Sequence, residues 1–126
     1  MTNTDTAPAT SPRLTKALRA AISAAQGRQA QEIVVLDLKK VGGFTDYFLI
    51  CTGQNSKQIG AIADAIEAVV KEKTDDRPTI IEGRDRTEWV LLDYFTFVVH
   101  VFSREARAFY DLDRLWGNAK RHEFDS

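Results

Sequence analysis

Glu82, Asp85, Glu88 and Asp93 lie close together in the chain. Carboxylates that converge within a few ångström can hold a divalent ion and support phosphoryl or nucleotidyl transfer. Glu82 and Asp93 belong to separate β-prone runs, however, and spacing alone does not place them on a shared face. Taken singly, each acid reads as part of a solvated rim. Taken together, they form an acidic patch suited to a basic partner. A nucleotidyltransferase would also need a Gly-Ser turn followed by two acids in alternation on the next strand. Gly53-Gln54-Asn55-Ser56 echoes the turn, but no such pair follows it. Asp111 and Asp113 point about 200° apart around a helix and cannot chelate one ion. Neither a metal nor a cofactor is expected.

Other reactive side chains have plain structural readings. His100 lies between valines in an apolar run. A catalytic base needs a proton donor within hydrogen-bond reach, and nearby Ser103 suggests no triad, so a hydrogen-bonded structural histidine is expected. Cys51 sits inside another apolar run and reads as a small buried hydrophobe. His122 lies in a charged tail and carries little information. Gly42-Gly43 precedes Phe44-Thr45-Asp46 rather than a helix, so it does not resemble a phosphate cradle.

Aromatic residues are more informative. Trp89, Tyr94, Phe95 and Phe97 fall on or beside one turn with acids around them. Alternation puts Trp89, Leu91 and Asp93 on one strand face and the core-like Val90 and Leu92 on the other. A Trp among acids at a sheet margin fits a protein-contact anchor. It equally fits a half-buried edge residue. Tyr110 and Trp116 read as packing between elements.

The elements that must position these groups follow from periodicity. Residues 1–11 lack large apolar side chains and are expected to be a disordered tail. Ser11-Pro12 reads as a helix start, with Leu14, Leu18, Ala21, Ile22 and Ala25 on one face and Gly27 as C-cap. Glu32–Leu38 and Asp46–Thr52 read as strands covered on both faces. Asn55 and Gln58 suggest a capping box for a helix burying Ile59, Ile62, Ala63, Ile66, Val69 and Val70. A further strand spans Thr79–Glu82. Trp89–Asp93 and Phe97–Phe102 should pair as an antiparallel hairpin. A last helix is expected from Ser103 to Trp116, burying Phe109, Leu112, Leu115 and Trp116. Residues 118–126 read as a polar, frayed tail. The expected fold is therefore α/β, a mixed five-stranded sheet flanked by helices, in one domain over residues 12–117.

Composition sets outer limits. The 126 residues carry 17 Lys+Arg against 18 Asp+Glu, a net charge of −1. That balance argues against nucleic-acid binding by bulk charge. One cysteine makes no internal disulfide, and with two histidines it makes no ordinary zinc site. No apolar run approaches the roughly 20 residues of a membrane span, and the first residues lack the pattern of a secretory signal. A cytoplasmic protein is expected.

Six segments in order resemble one family. They are Thr45–Gly53 (TDYFLICTG), Gln58–Asp64 (QIGAIAD), Glu82-Gly83, Trp89–Tyr94 (WVLLDY), Val98–Phe102 (VVHVF) and Arg107–Trp116 (RAFYDLDRLW). Their order and spacing are similar to the ribosomal silencing factor family, also called Iojap-related, over about Leu14 to Gly117. The resemblance implies a nucleotidyltransferase-like α/β domain without catalytic acids. It implies a non-enzymatic translational repressor that binds ribosomal protein fourteen of the large subunit. Docked there, such a protein blocks joining of the small subunit when nutrients are scarce. It places Trp89 on the binding face, with Asp93, Tyr94 and Glu82 nearby. Family members often carry Gly-Asp where this chain has Phe95 and Thr96, a change expected to alter the turn. Two rival classes are a metal-dependent nucleotidyltransferase or nuclease, and a homodimeric scaffold using the same aromatic surface.

Overall fold

Runs of β-branched and aromatic residues build the sheet, and the computed structural model describes residues 14–84 and 88–125. In chain order the elements are α1 (Lys16–Gly27), β1 (Gln31–Asp37), β2 (Tyr47–Gly53), α2 (Ser56–Thr74), β3 (Ile80–Glu82), β4 (Trp89–Asp93), β5 (Phe97–Ser103), α3 (Arg104–Tyr110), α4 (Leu112–Leu115) and β6 (Lys120–Phe124). The sheet has six strands in the order β3-β4-β5-β2-β1-β6. The β2–β5 pair is parallel and the other neighbours are antiparallel. β2 and β5 are buried along their whole length, as their unbroken apolar runs require. The expected β4–β5 hairpin is present and closes through Tyr94-Phe95-Thr96.

Side-chain alternation divides the apolar residues between two cores. On one sheet face, Leu49, Cys51, Val90, Leu92, Val99 and Val101 pack against α1 and α2. On the other, Val34, Leu36, Phe48, Ile50, Val98 and Phe102 pack against Ala106, Leu112 and Trp116. Cys51 is fully buried and its thiol is pushed up to about 12 by desolvation, in keeping with a structural role.

Local polar groups set the helix ends. Thr15 Oγ1 accepts the Leu18 N–H at 3.1 Å and caps α1. Asn55 Oδ1 accepts the Gln58 N–H at 2.8 Å and caps α2. Gln58 returns its amide oxygen to the Gln54 N–H, one residue before the usual capping-box partner. Its amide nitrogen donates to the Arg28 carbonyl at 3.1 Å, tying the end of α1 to the start of α2.

Several expectations require correction. The sheet has six strands rather than five, because residues read as a polar tail form β6 and pair with β1, Val35 opposite His122. Charged edge strands lack the alternation that marks a half-buried strand. The single last helix is two, broken at Asp111, whose φ of 48° is left-handed. α3 buries Ala106 and Arg107, and Phe109 and Leu115 stand at 80% and 69% exposure instead of in the core. Gly27 is the last residue of α1 and the cap falls to Arg28. α1 starts at Lys16 with Thr15 as its N-cap rather than at Ser11-Pro12, which, with the tail before it and Asp85, lies outside the described residues. At the turn expected to be altered, Phe95 takes a left-handed φ of 73°. Among the described residues, no helix is long and apolar enough to cross a membrane.

Gly83 joins β3 to the segment before β4 at a φ of 81°, and a Cβ there would run into the Trp89 carbonyl. Gly83→Ala is therefore expected to destabilise the fold by about 1–3 kcal/mol, the usual range for such backbone strain. Urea unfolding would measure it. A variant as stable as the native chain would mean that this close approach is not maintained in solution.

Candidate docking surface

On one sheet face β3 is exposed and β4 is half-buried, because α3 packs farther along, over β5 and β2. Cross-strand pairing puts Ile80 opposite Asp93 and Glu82 opposite Leu91. It also puts Trp89 opposite Phe102 and Leu91 opposite His100. Directly opposed residues share a face, so Ile80, Glu82, Trp89, Leu91 and Asp93 form one surface. Val90 and Leu92 point into the core, as alternation predicts.

Trp89 is the centre of this surface. Its ring lies 4.5 Å from that of Tyr110 on α3 and 4.9 Å from that of Phe102, centroid to centroid. Its indole N–H donates to His100 Nδ1 at 3.1 Å. That bond requires the His100 proton to sit on Nε2. Desolvation pulls His100 down to about 3, so the ring stays a neutral acceptor near pH 7. The expected structural histidine is present, and its work is to hold Trp89. Tyr110 is half-exposed, and Phe109 stands edge-on to it at 5.0 Å. Periodicity groups Phe109 with Leu112 and Trp116 because the left-handed Asp111 that separates them has no sequence signal of its own.

The acids are placed unequally. Glu82 is exposed and makes no ion pair among the described residues. Asp93 Oδ1 accepts the Phe95 N–H at 2.8 Å, so one oxygen orders the turn. Glu88 Oε1 accepts the Ser103 hydroxyl at 2.8 Å, while Ser103 Oγ accepts the Ala106 N–H and caps α3. Ser103 thus serves as a helix cap, and His100 Nδ1 is already engaged by Trp89. Asp113 binds Arg107 and Arg121 in ion pairs at 3.0 and 2.8 Å.

Tyr94 departs from expectation. It is 8% exposed and stacks on Phe97 at 4.7 Å within the core behind the sheet. It therefore lies on the opposite face from Trp89. Burial pushes its hydroxyl up to about 12. The structure brings Trp89, Asp93 and Glu82 together and leaves Tyr94 out. The reason is that Tyr94 follows Asp93 by one residue, and the pleat reverses the side chain.

Such a surface, aromatic at its centre and acidic at its margin, has the make-up of a protein interface. The same chain matches the family described as ribosomal silencing factor during starvation, over residues 9–126. The chain belongs to this family. A ribosomal silencing factor of Bacillus subtilis is 38% identical over 111 residues, covering 86% of this chain and 91% of that protein. A crystal structure of a Chromobacterium violaceum protein superposes with a TM-score of 0.76 at 31% identity, covering 81% of this chain and 84% of that one. A more distant relative is the mouse protein named for mitochondrial assembly of the ribosomal large subunit. It is 29% identical over 97 residues, covering 75% of this chain and 42% of that protein. The family resemblance seen in the six sequence segments is thus confirmed over almost the whole chain.

Proposed function

We propose that this family member is a non-enzymatic translational repressor acting in the cytoplasm. It binds the large ribosomal subunit through ribosomal protein fourteen and blocks joining of the small subunit, above all when nutrients are limiting. The name of the mouse relative supports a large-subunit partner. One structural observation carries the choice of face: Trp89, half-buried, is held ready by His100, Phe102 and Tyr110 beside the exposed strand β3. Repression by occlusion needs affinity and position, not a reaction. The aromatic centre supplies buried area. The acids steer approach to a basic protein surface and set register.

Co-sedimentation with separated ribosomal subunits in a sucrose gradient tests this. The native chain is expected with the large subunit, and its presence is expected to reduce the yield of joined ribosomes. Glu82→Lys, which alters an exposed charge, is expected to weaken binding about tenfold through slower association, with the loss deepening at low salt. Binding unchanged by that reversal would remove the acidic margin from the interface. Absence of the native chain from the large-subunit fractions would refute the function itself.

A further inference from the structure

Phe95 combines two unfavourable features. Its φ of 73° lies in the left-handed region, which suits glycine or asparagine and disfavours a bulky side chain. Its ring is also 78% exposed and returns no packing to the fold. The backbone around it is nevertheless firmly set. Asp93 Oδ1 accepts the Phe95 N–H at 2.8 Å. The Thr45 hydroxyl donates to the Phe95 carbonyl at 2.8 Å. The Asp46 N–H donates to the Thr96 carbonyl at 3.1 Å, and the Tyr94 N–H to the Phe97 carbonyl at 2.9 Å. Strain that surrounding bonds hold in place is characteristic of recognition sites.

We infer that Phe95 is a pre-set apolar anchor that extends the Trp89 surface and enters an apolar recess on the same partner protein, rimmed by basic groups. The inference rests on the docking face proposed above and adds a second anchor to it. Continuity supports this: Phe95 is tied to Asp93, which shares a sheet face with Trp89, Leu91 and Glu82. Charge supports it as well, since exposed Asp46 and half-buried Asp93 are both bonded to the Phe95 turn and suit a basic rim. Phe44, equally exposed at 78%, precedes Thr45 on the loop bonded to Phe95. An anchor fixed before contact loses little freedom on binding.

The strain gives the test opposite signs for stability and affinity. Phe95→Asn accepts the left-handed backbone and removes the ring. It is expected to raise Tm by about 2–4 °C and to weaken binding to isolated large subunits by about tenfold or more. Phe95→Tyr keeps the ring and is expected to match the native chain in both. Thermal melts and sedimentation binding on the full chain would read these. Asn binding within about twofold of native, or a lowered Tm for Phe95→Asn, overturns the anchor. If the native chain itself does not bind large subunits, the docking face fails first, and the anchor with it.

Discussion

Trp89→Ala is expected to weaken large-subunit binding by about 30-fold or more, the loss of a hot-spot side chain. The ring is half-buried, with one side on Phe102 and Tyr110 and its N–H on His100. Truncation removes the contact area and releases Tyr110, which otherwise leans on the indole. It also leaves His100 Nδ1 buried without a donor, so some destabilisation accompanies it, about 1–3 kcal/mol. Circular dichroism and thermal melting separate the two effects. Trp89→Phe gives a second comparison, because it keeps a smaller ring against Tyr110 and Phe102 while losing the N–H and part of the ring area. It should bind better than Trp89→Ala. Native-like binding by Trp89→Ala would place the interface elsewhere on the molecule.

Arg107→Met should produce the largest loss of stability. The Arg107 side chain is 9% exposed. It donates to the Glu32 carbonyl at 2.6 Å, to the Thr52 hydroxyl at 3.0 Å and to Asp113 at 3.0 and 3.3 Å. These bonds join α3 to the ends of β1 and β2 and to the segment leading into β6. Glu32 itself sits at a φ of 50°, where β1 shifts register, and its carbonyl depends on this donor. Methionine fills part of the volume but satisfies none of the acceptors. Breaking a buried pair by removing one partner costs about 3–5 kcal/mol. Urea unfolding should show that loss, and a change below about 1 kcal/mol would mean that water replaces Arg107 without difficulty. Acid adds a second signature. Burial raises the Asp113 pKa, but bonds from Arg107 and Arg121 outweigh it and hold the carboxyl below its ordinary 3.8. Its contribution is therefore present above that value and is lost as pH falls below it. Arg107→Met should shrink this acid-dependent loss.

Some of this architecture is legible in the residues alone. The hairpin is, because WVLLD and FVVHVF are apolar runs separated by three residues. The split between Trp89 and Val90 follows from the pleat. The helix over Ser56–Thr74 announces its cap and its buried stripe. The break between α3 and α4 is not legible, since an Asp in left-handed conformation looks like any other Asp in a helical pattern. β6 is not legible either, since KRHEF reads as solvated until β1 offers it a partner.

Local chemistry along the chain thus determined the α/β class, the β4–β5 hairpin, the family and the strand face that Trp89 takes. These depend on side-chain type and short-range period, which a sequence displays directly. Tertiary structure alone decided that Tyr94 faces the core, that Phe109 and Tyr110 join the Trp89 surface, and that Arg107 locks α3 to the sheet. Each of those outcomes depends on which face a distant element covers, and contacts such as Arg107 to Glu32, separated by 75 residues, leave no periodic trace.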